Sequence, residues 1–119
     1  MLECTLDAMD LAMEMTPAEV KRRLDAGEHL HLIDCREPGE FAIARIEGAK
    51  LVPMNTTPEH LQRLDAMADE APLIVYCHHG VRSLMVVNWL REHDVAACSS
   101  MSGGIDLWSL SIDPGVPRY

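Results

Sequence analysis

The run Tyr76-Cys77-His78-His79-Gly80-Val81-Arg82-Ser83 follows directly on the apolar stretch Pro72-Leu73-Ile74-Val75. This pattern reads as a buried strand that delivers a cysteine into a tight glycine loop, which then opens a helix. A thiolate at that place faces unpaired backbone N–H groups and the positive end of the helix dipole. Its pKa can fall from roughly 8.5 into the range of about 3.5–7.5, which makes it an ionised nucleophile at neutral pH. The successive amides from His78 to Ser83 offer an anion cradle, and Gly80 lets the backbone turn sharply and approach the anion. Arg82 has two readings, steering an anionic substrate or bracing the loop through carbonyls or a carboxylate. The alternative for Cys77 itself, a buried core cysteine, is common for this residue type but does not explain the His-His-Gly-x-Arg that follows.

Other residues invite chemistry and have plainer explanations. His78 and His79 suggest a metal, but adjacent side chains in a loop rarely converge on one ion and no third ligand is spaced for it. They read better as imidazoles at the pocket mouth. Asp34 and Arg36 read as a structural pair that organises the loops at the strand ends. Cys35, beside Asp34 at the end of another strand, either approaches the site or fills a small apolar space, and the filler reading is preferred. Cys4 and Cys98 take the same reading. Trp89 and Trp108 are expected in the core, and Tyr119 as a dock for the tail.

The elements that must position Cys77 alternate along the chain. Thr16-Pro17-Ala18-Glu19 has the form of a capping box with proline at the first helical position, and Gly27 is a natural stop. His31–Asp34 reads as a short buried strand, Pro38 starts a brief helix carrying Phe41, and Ala49–Val52 is a second apolar run. Thr57 before Pro58 reads as the cap of a helix with Leu61, Leu64 and Ala68 on one face. Leu73–Tyr76 is the strand leading to the cysteine. The helix from Ser83 to His93 is apolar nearly all round, which predicts that it is largely buried. Val95–Met101 supplies a last strand before Gly103-Gly104 and a short helix through Trp108. Strands interleaved with helices imply a parallel sheet covered on both faces, with ligands outside the carboxyl ends of the strands, where Cys77 falls.

Composition limits the alternatives. The chain has 119 residues, enough for one core, and a formal net charge of -9 that argues against nucleic acid as a partner. No apolar run is long enough to span a bilayer, and the acidic first dozen residues do not resemble a signal peptide, so a cytoplasmic location is expected. Four cysteines, Cys4, Cys35, Cys77 and Cys98, form no C-x-x-C pair and are expected as free thiols.

Three blocks in order resemble the rhodanese-like sulfurtransferases. Leu32-Ile33-Asp34-Cys35-Arg36-Glu37-Pro38-Gly39-Glu40-Phe41, continued by Ile46-Glu47-Gly48-Ala49 and Val52-Pro53, is similar to the family's first signature. Cys77-His78-His79-Gly80-Val81-Arg82-Ser83 resembles its active-site loop, and Ser102-Gly103-Gly104-Ile105-Asp106-Leu107-Trp108 its closing segment. Ala44-Arg45 stands where the family often has Gly-His. The resemblance implies an α/β three-layer sandwich with a central parallel sheet of about five strands. It covers roughly residues 16 to 112; residues 1–11 are read as an N-terminal arm and 12–119 as the domain.

The resemblance further implies that Cys77 carries a sulfane sulfur as a persulfide. A donor such as thiosulfate or a persulfide would sulfurate Cys77, and a thiophilic acceptor would then remove the sulfur. His78, His79, Gly80, Val81, Arg82 and Ser83 would form the binding loop, with Asp34 and Arg36 in support and neither metal nor organic cofactor required. Cys77 and Arg82 are separated by four residues, one fewer than in the phosphatases of related fold, and the shorter ring suits a single sulfur better than a phosphate. The terminus Ile112-Asp113-Pro114-Gly115-Val116-Pro117-Arg118-Tyr119 resembles those of rhodanese domains fused behind adenylyltransferases. That similarity raises a second expectation, a persulfide carrier serving a sulfur-carrier or sulfur-mobilising protein.

Overall fold

The computed structural model describes residues 11–119. The expected N-terminal arm lies outside the described residues except for Leu11, which is buried and whose carbonyl accepts from Arg91 Nη2 at 2.7 Å. Five strands form one parallel sheet: β1 (Glu14–Met15), β2 (His31–Asp34), β3 (Lys50–Leu51), β4 (Leu73–Tyr76) and β5 (Cys98–Met101). Their order across the sheet is β1-β5-β4-β2-β3, so β4 sits at the centre. Between them run α1 (Pro17–Asp25), α2 (Pro38–Ile43), a 3₁₀ segment (Met54–His60), α3 (Leu61–Glu70), α4 (Val81–Glu92) and α5 (Gly104–Ser111). The expected α/β architecture is therefore the observed one.

Side chains of β4 alternate between two cores, because successive residues of a strand point to opposite faces. Leu73, Val75 and Cys77 pack with Leu64, Val86, Val87 and Leu90 on the α3–α4 side. Ile74 and Tyr76 pack with Val20, Met101, Ile105 and Trp108 on the α1–α5 side. Both faces of the central strand are covered, so it reads as an unbroken apolar run.

Local signals worked where the partner was near in sequence. Glu19 N–H donates to Thr16 Oγ1 at 3.1 Å, as the cap predicts, while the Glu19 carboxylate is bonded to Arg22 and Arg23. Gly27 takes a φ of 84° at the end of α1, a conformation that favours glycine. Three expectations need correction. Thr57 does not cap a helix: it lies buried within the 3₁₀ segment, its hydroxyl donating to Met54 O at 2.8 Å, and α3 starts only at Leu61. The helix after the cysteine loop is not largely buried, since Val81 and Met85 are 71% and 57% exposed. Trp89 is only partly buried; it stacks on His93 and lines a shallow groove with Met54, Pro58 and Met85. An apolar residue has no obligation to be inside, and here the sheet covers one face of α4 only. Among the described residues, no helix is long and apolar enough to cross a membrane.

Candidate active site

Cys77 follows β4 directly at the carboxyl edge of the sheet and is 1% exposed. The loop that follows closes on its sulfur. Gly80 N–H donates to Cys77 Sγ at 3.1 Å and Ser83 N–H at 3.3 Å, while the Ser83 hydroxyl lies 3.4 Å away. Gly80 makes this turn at a φ of 105°, and a Cβ there would press on the Gly103 backbone. The Ser83 hydroxyl is also bonded to Ser100 Oγ of β5 at 2.8 Å.

The base of the loop is held by the start of α5. Ile105 N–H donates to Cys77 O at 2.9 Å and Asp106 N–H to His78 O at 3.1 Å. This approach requires Gly104, because a Cβ there would collide with both carbonyls.

Electrostatics favour the ionised sulfur. The neighbouring Cys35 thiol, then the Ser83 hydroxyl and the Ser83 and Gly80 amides that bond the sulfur, outweigh burial and lower the Cys77 pKa to about 4. Cys35 moves in the opposite direction, because the Cys77 sulfur beside it and burial both oppose a second charge. Cys35 satisfies both of its readings: it is buried in the apolar core, and the β2–β4 register sets it beside Cys77.

Arg82 is engaged with a carboxylate, the contact that its bracing reading expected. Its guanidinium forms a two-pronged pair with Glu40, Nη1–Oε1 at 2.8 Å and Nη2–Oε2 at 3.0 Å, so it braces the loop against α2. Asp34 and Arg36 are both fully buried and paired twice, Nε–Oδ1 at 2.9 Å and Nη2–Oδ2 at 2.7 Å. Tyr119 joins these two pairs: its hydroxyl accepts from Arg36 Nη1 and donates to Glu40 Oε2, each at 2.7 Å. The tail therefore docks, as its tyrosine suggested.

The two histidines stand at the rim. His78 is stacked between His79 and Tyr119, with ring centroids 4.0 Å apart on either side. His79 is exposed, 3.8 Å from Asp106, and Val81 faces outward. Asp106 supplies the third potential metal ligand that the sequence spacing did not suggest, within 4.8 Å of both imidazoles. Its carboxylate is already paired with Arg118 at 2.9 Å, and stacked imidazoles hold their in-plane lone pairs side by side instead of aiming them at one point. The arrangement suits a stacked rim better than an ion.

Of the residues singled out from sequence, Gly80 and Ser83 touch the sulfur, Arg82 braces the loop, and His78, His79 and Val81 line its outer side. Sequence reasoning did not single out Glu40 or Ser100. A glutamate three residues into a helix gives no signal of its partner in another element, and a strand serine gives none at all.

A buried cysteine ringed by donors at the carboxyl edge of a parallel sheet defines a class: an α/β domain built around a cysteine loop. The Rhodanese-like domain family matches residues 16–111, and the chain belongs to it. It is 31% identical over 101 residues to the putative sulfurtransferase YtwF of Bacillus subtilis, covering 85% of this chain and 94% of that protein. It is 30% identical over 105 residues to the probable adenylyltransferase/sulfurtransferase MoeZ of Mycobacterium tuberculosis, covering 88% of this chain. The match spans only 26% of the mycobacterial protein. The crystal structure of a rhodanese-like domain protein from Staphylococcus aureus superposes with a TM-score of 0.75 at 29% identity, covering 91% of this chain and 99% of that one.

Proposed function

We propose that this protein is a sulfurtransferase that carries a sulfane sulfur on Cys77 between a thiosulfate or persulfide donor and a thiophilic acceptor. The observation that carries the reading is the convergence of the Gly80 and Ser83 amides and the Ser83 hydroxyl on the Cys77 sulfur. A thiolate held by those donors attacks the outer sulfur of thiosulfate; the S–S bond breaks and sulfite leaves with the electron pair. The new persulfide carries its charge on the terminal sulfur, which the successive amides from His78 to Ser83 would receive as an anion cradle. An acceptor such as cyanide then attacks that terminal sulfur, thiocyanate departs, and Cys77 returns as the thiolate. No metal or organic cofactor enters either step. Arg82, paired with Glu40, keeps the loop in shape instead of offering a free charge to the donor.

The test is incubation with thiosulfate, following cyanide-dependent thiocyanate and intact mass, with Cys77→Ser as control. Turnover with a one-sulfur adduct, both lost in the variant, supports the reading. Absence of an adduct with every persulfide donor tried would overturn it.

A second reading, a partner-dependent carrier in a sulfur relay, is favoured by two observations. Cys77 is almost inaccessible in the resting protein, and the chain is similar to part of a relative named as an adenylyltransferase/sulfurtransferase. The partner would be a sulfur-mobilising enzyme or an activated sulfur-carrier protein. An adduct without small-molecule turnover would select this reading over the first.

A further inference from the structure

Cys35 is a reactive group beside the site to which the proposed transfer assigns no part. The β2–β4 register pairs Ile33 with Val75 and Asp34 with Tyr76, so the next pair in line is Cys35 with Cys77. The ladder does continue that far, since Cys35 N–H donates to Tyr76 O at 3.0 Å. Neighbouring strands lie about 4.8 Å apart, and residues at the same step of a parallel pair point the same way. Both cysteines accordingly fall in the core on the α3–α4 side, each 1% exposed. The Cys35 carbonyl accepts from Met54 N–H at 2.9 Å, so its backbone is tied on both sides and its thiol has little choice of direction.

We propose that Cys35 is a positioning residue for the reaction at Cys77: its thiol, fixed by the β2–β4 register, donates a hydrogen bond to the resting thiolate. The inference rests on the reading of Cys77 as the sulfur-accepting nucleophile. A donor in this role must keep its own proton. The charge on Cys77, burial and the Asp34 carboxylate all hold the Cys35 proton in place, against a smaller opposing pull from Arg82. Asp34 and Arg82 are the charged groups that act on the pair from β2 and α4. Once Cys77 is loaded, the charge moves one sulfur further out towards the loop amides. The Cys35 hydrogen bond then faces a neutral sulfur, so it favours the unloaded state and assists discharge.

The test is titration of the thiolate ultraviolet absorbance on the full chain, with Cys77→Ser as blank, in the parent, Cys35→Val and Cys35→Ser. Valine fills the space without a donor, whereas the serine hydroxyl restores one. The expected result is a Cys77 midpoint raised by about one pH unit in Cys35→Val, equivalent to about tenfold less thiolate on the acid side. In Cys35→Ser the midpoint stays near the parent's. Identical midpoints in the parent and Cys35→Val, or equal displacement by valine and serine, would overturn the proposal while leaving Cys77 as nucleophile. A parent without an acidic midpoint would overturn both readings. Should Cys35→Val fail to fold by circular dichroism, Cys35→Ala against Cys35→Ser carries the same comparison.

Discussion

Arg82 and Glu40 are joined by two near-parallel hydrogen bonds, at 2.8 and 3.0 Å, across 42 residues of sequence. This pair ties the first turn of α4 to the first turn of α2, and the cysteine loop lies between β4 and that tied turn. The loop shape that aims two amides at Cys77 thus depends on a carboxylate from a different signature block. Fork-to-fork geometry adds direction as well as energy, and both side chains are mostly covered.

Removal of either partner should therefore loosen the loop without unfolding the domain. Arg82→Ala and Glu40→Ala are each expected to lower sulfur transfer at least tenfold, and to cost about 1–2 kcal/mol in urea denaturation. The double variant should lose little more than either single one, because the two groups act together. Additive losses in the double variant would count against the pairing.

Acid stability should report on Glu40. Its carboxyl is held at about 2, chiefly by Arg82, and further by the Tyr119 hydroxyl and Glu37 amide against burial. The folded value lies below the unfolded one of about 4.3, so the contribution is complete above the unfolded value. It is lost as pH falls towards the folded one. Between those limits the parent should lose stability on acidification faster than Glu40→Gln, measured by urea midpoints at each pH.

Cys77 should impose its own pH dependence on stability. The folded pKa of about 4 lies far below that of a free thiol, so across the interval between them the unfolded state holds the extra proton. Stability relative to Cys77→Ser should rise with pH through this interval, by at most about 1.4 kcal/mol per pH unit. A flat difference between the two proteins would mean that the thiol is not ionised in the fold. The acid limb of sulfur loading should fall in the same region, read by intact mass after a short exposure to thiosulfate.

Gly104→Ala should be among the most damaging single-atom additions. The position has a φ of 60°, and the added methyl would collide with the carbonyls of Cys77 and His78, which α5 amides must reach. A loss of about 2–4 kcal/mol is expected, with sulfur loading reduced even under conditions where the variant remains folded. Gly39→Ala, where the added atom meets nothing, is the control and should change loading little.

Tyr119→Phe keeps the stack on His78 but removes the hydroxyl between Arg36 and Glu40. A stability change of about 1 kcal/mol is expected, with a larger fall in turnover than in folding. Truncation before Arg118 should exceed it, because the Arg118–Asp106 pair is lost as well.

What could be read from the chain alone was contiguous. The strand, its cysteine, the glycine turn and the start of α4 all lie within residues 72–83, where alternation, glycine and helix-start signals act between near neighbours. The Asp34–Arg36 pair was legible for the same reason, its partners being two residues apart. Burial of α4 was misjudged because composition shows which residues are apolar but not which faces a neighbouring layer will cover. The partners of the site were beyond reach. Glu40 lies 42 residues from Arg82, Tyr119 lies 83 from Arg36, and Ser100 lies 17 from Ser83. Cys35 stood next to a recognised aspartate and still read as filler, because its place beside Cys77 comes from strand register. In a parallel sheet that register depends on which crossover brings which strand alongside, and only the folded chain decides it. The amino-acid sequence determined the candidate cysteine and the loop that bends around it; the tertiary structure decided what surrounds the sulfur and what holds the loop still.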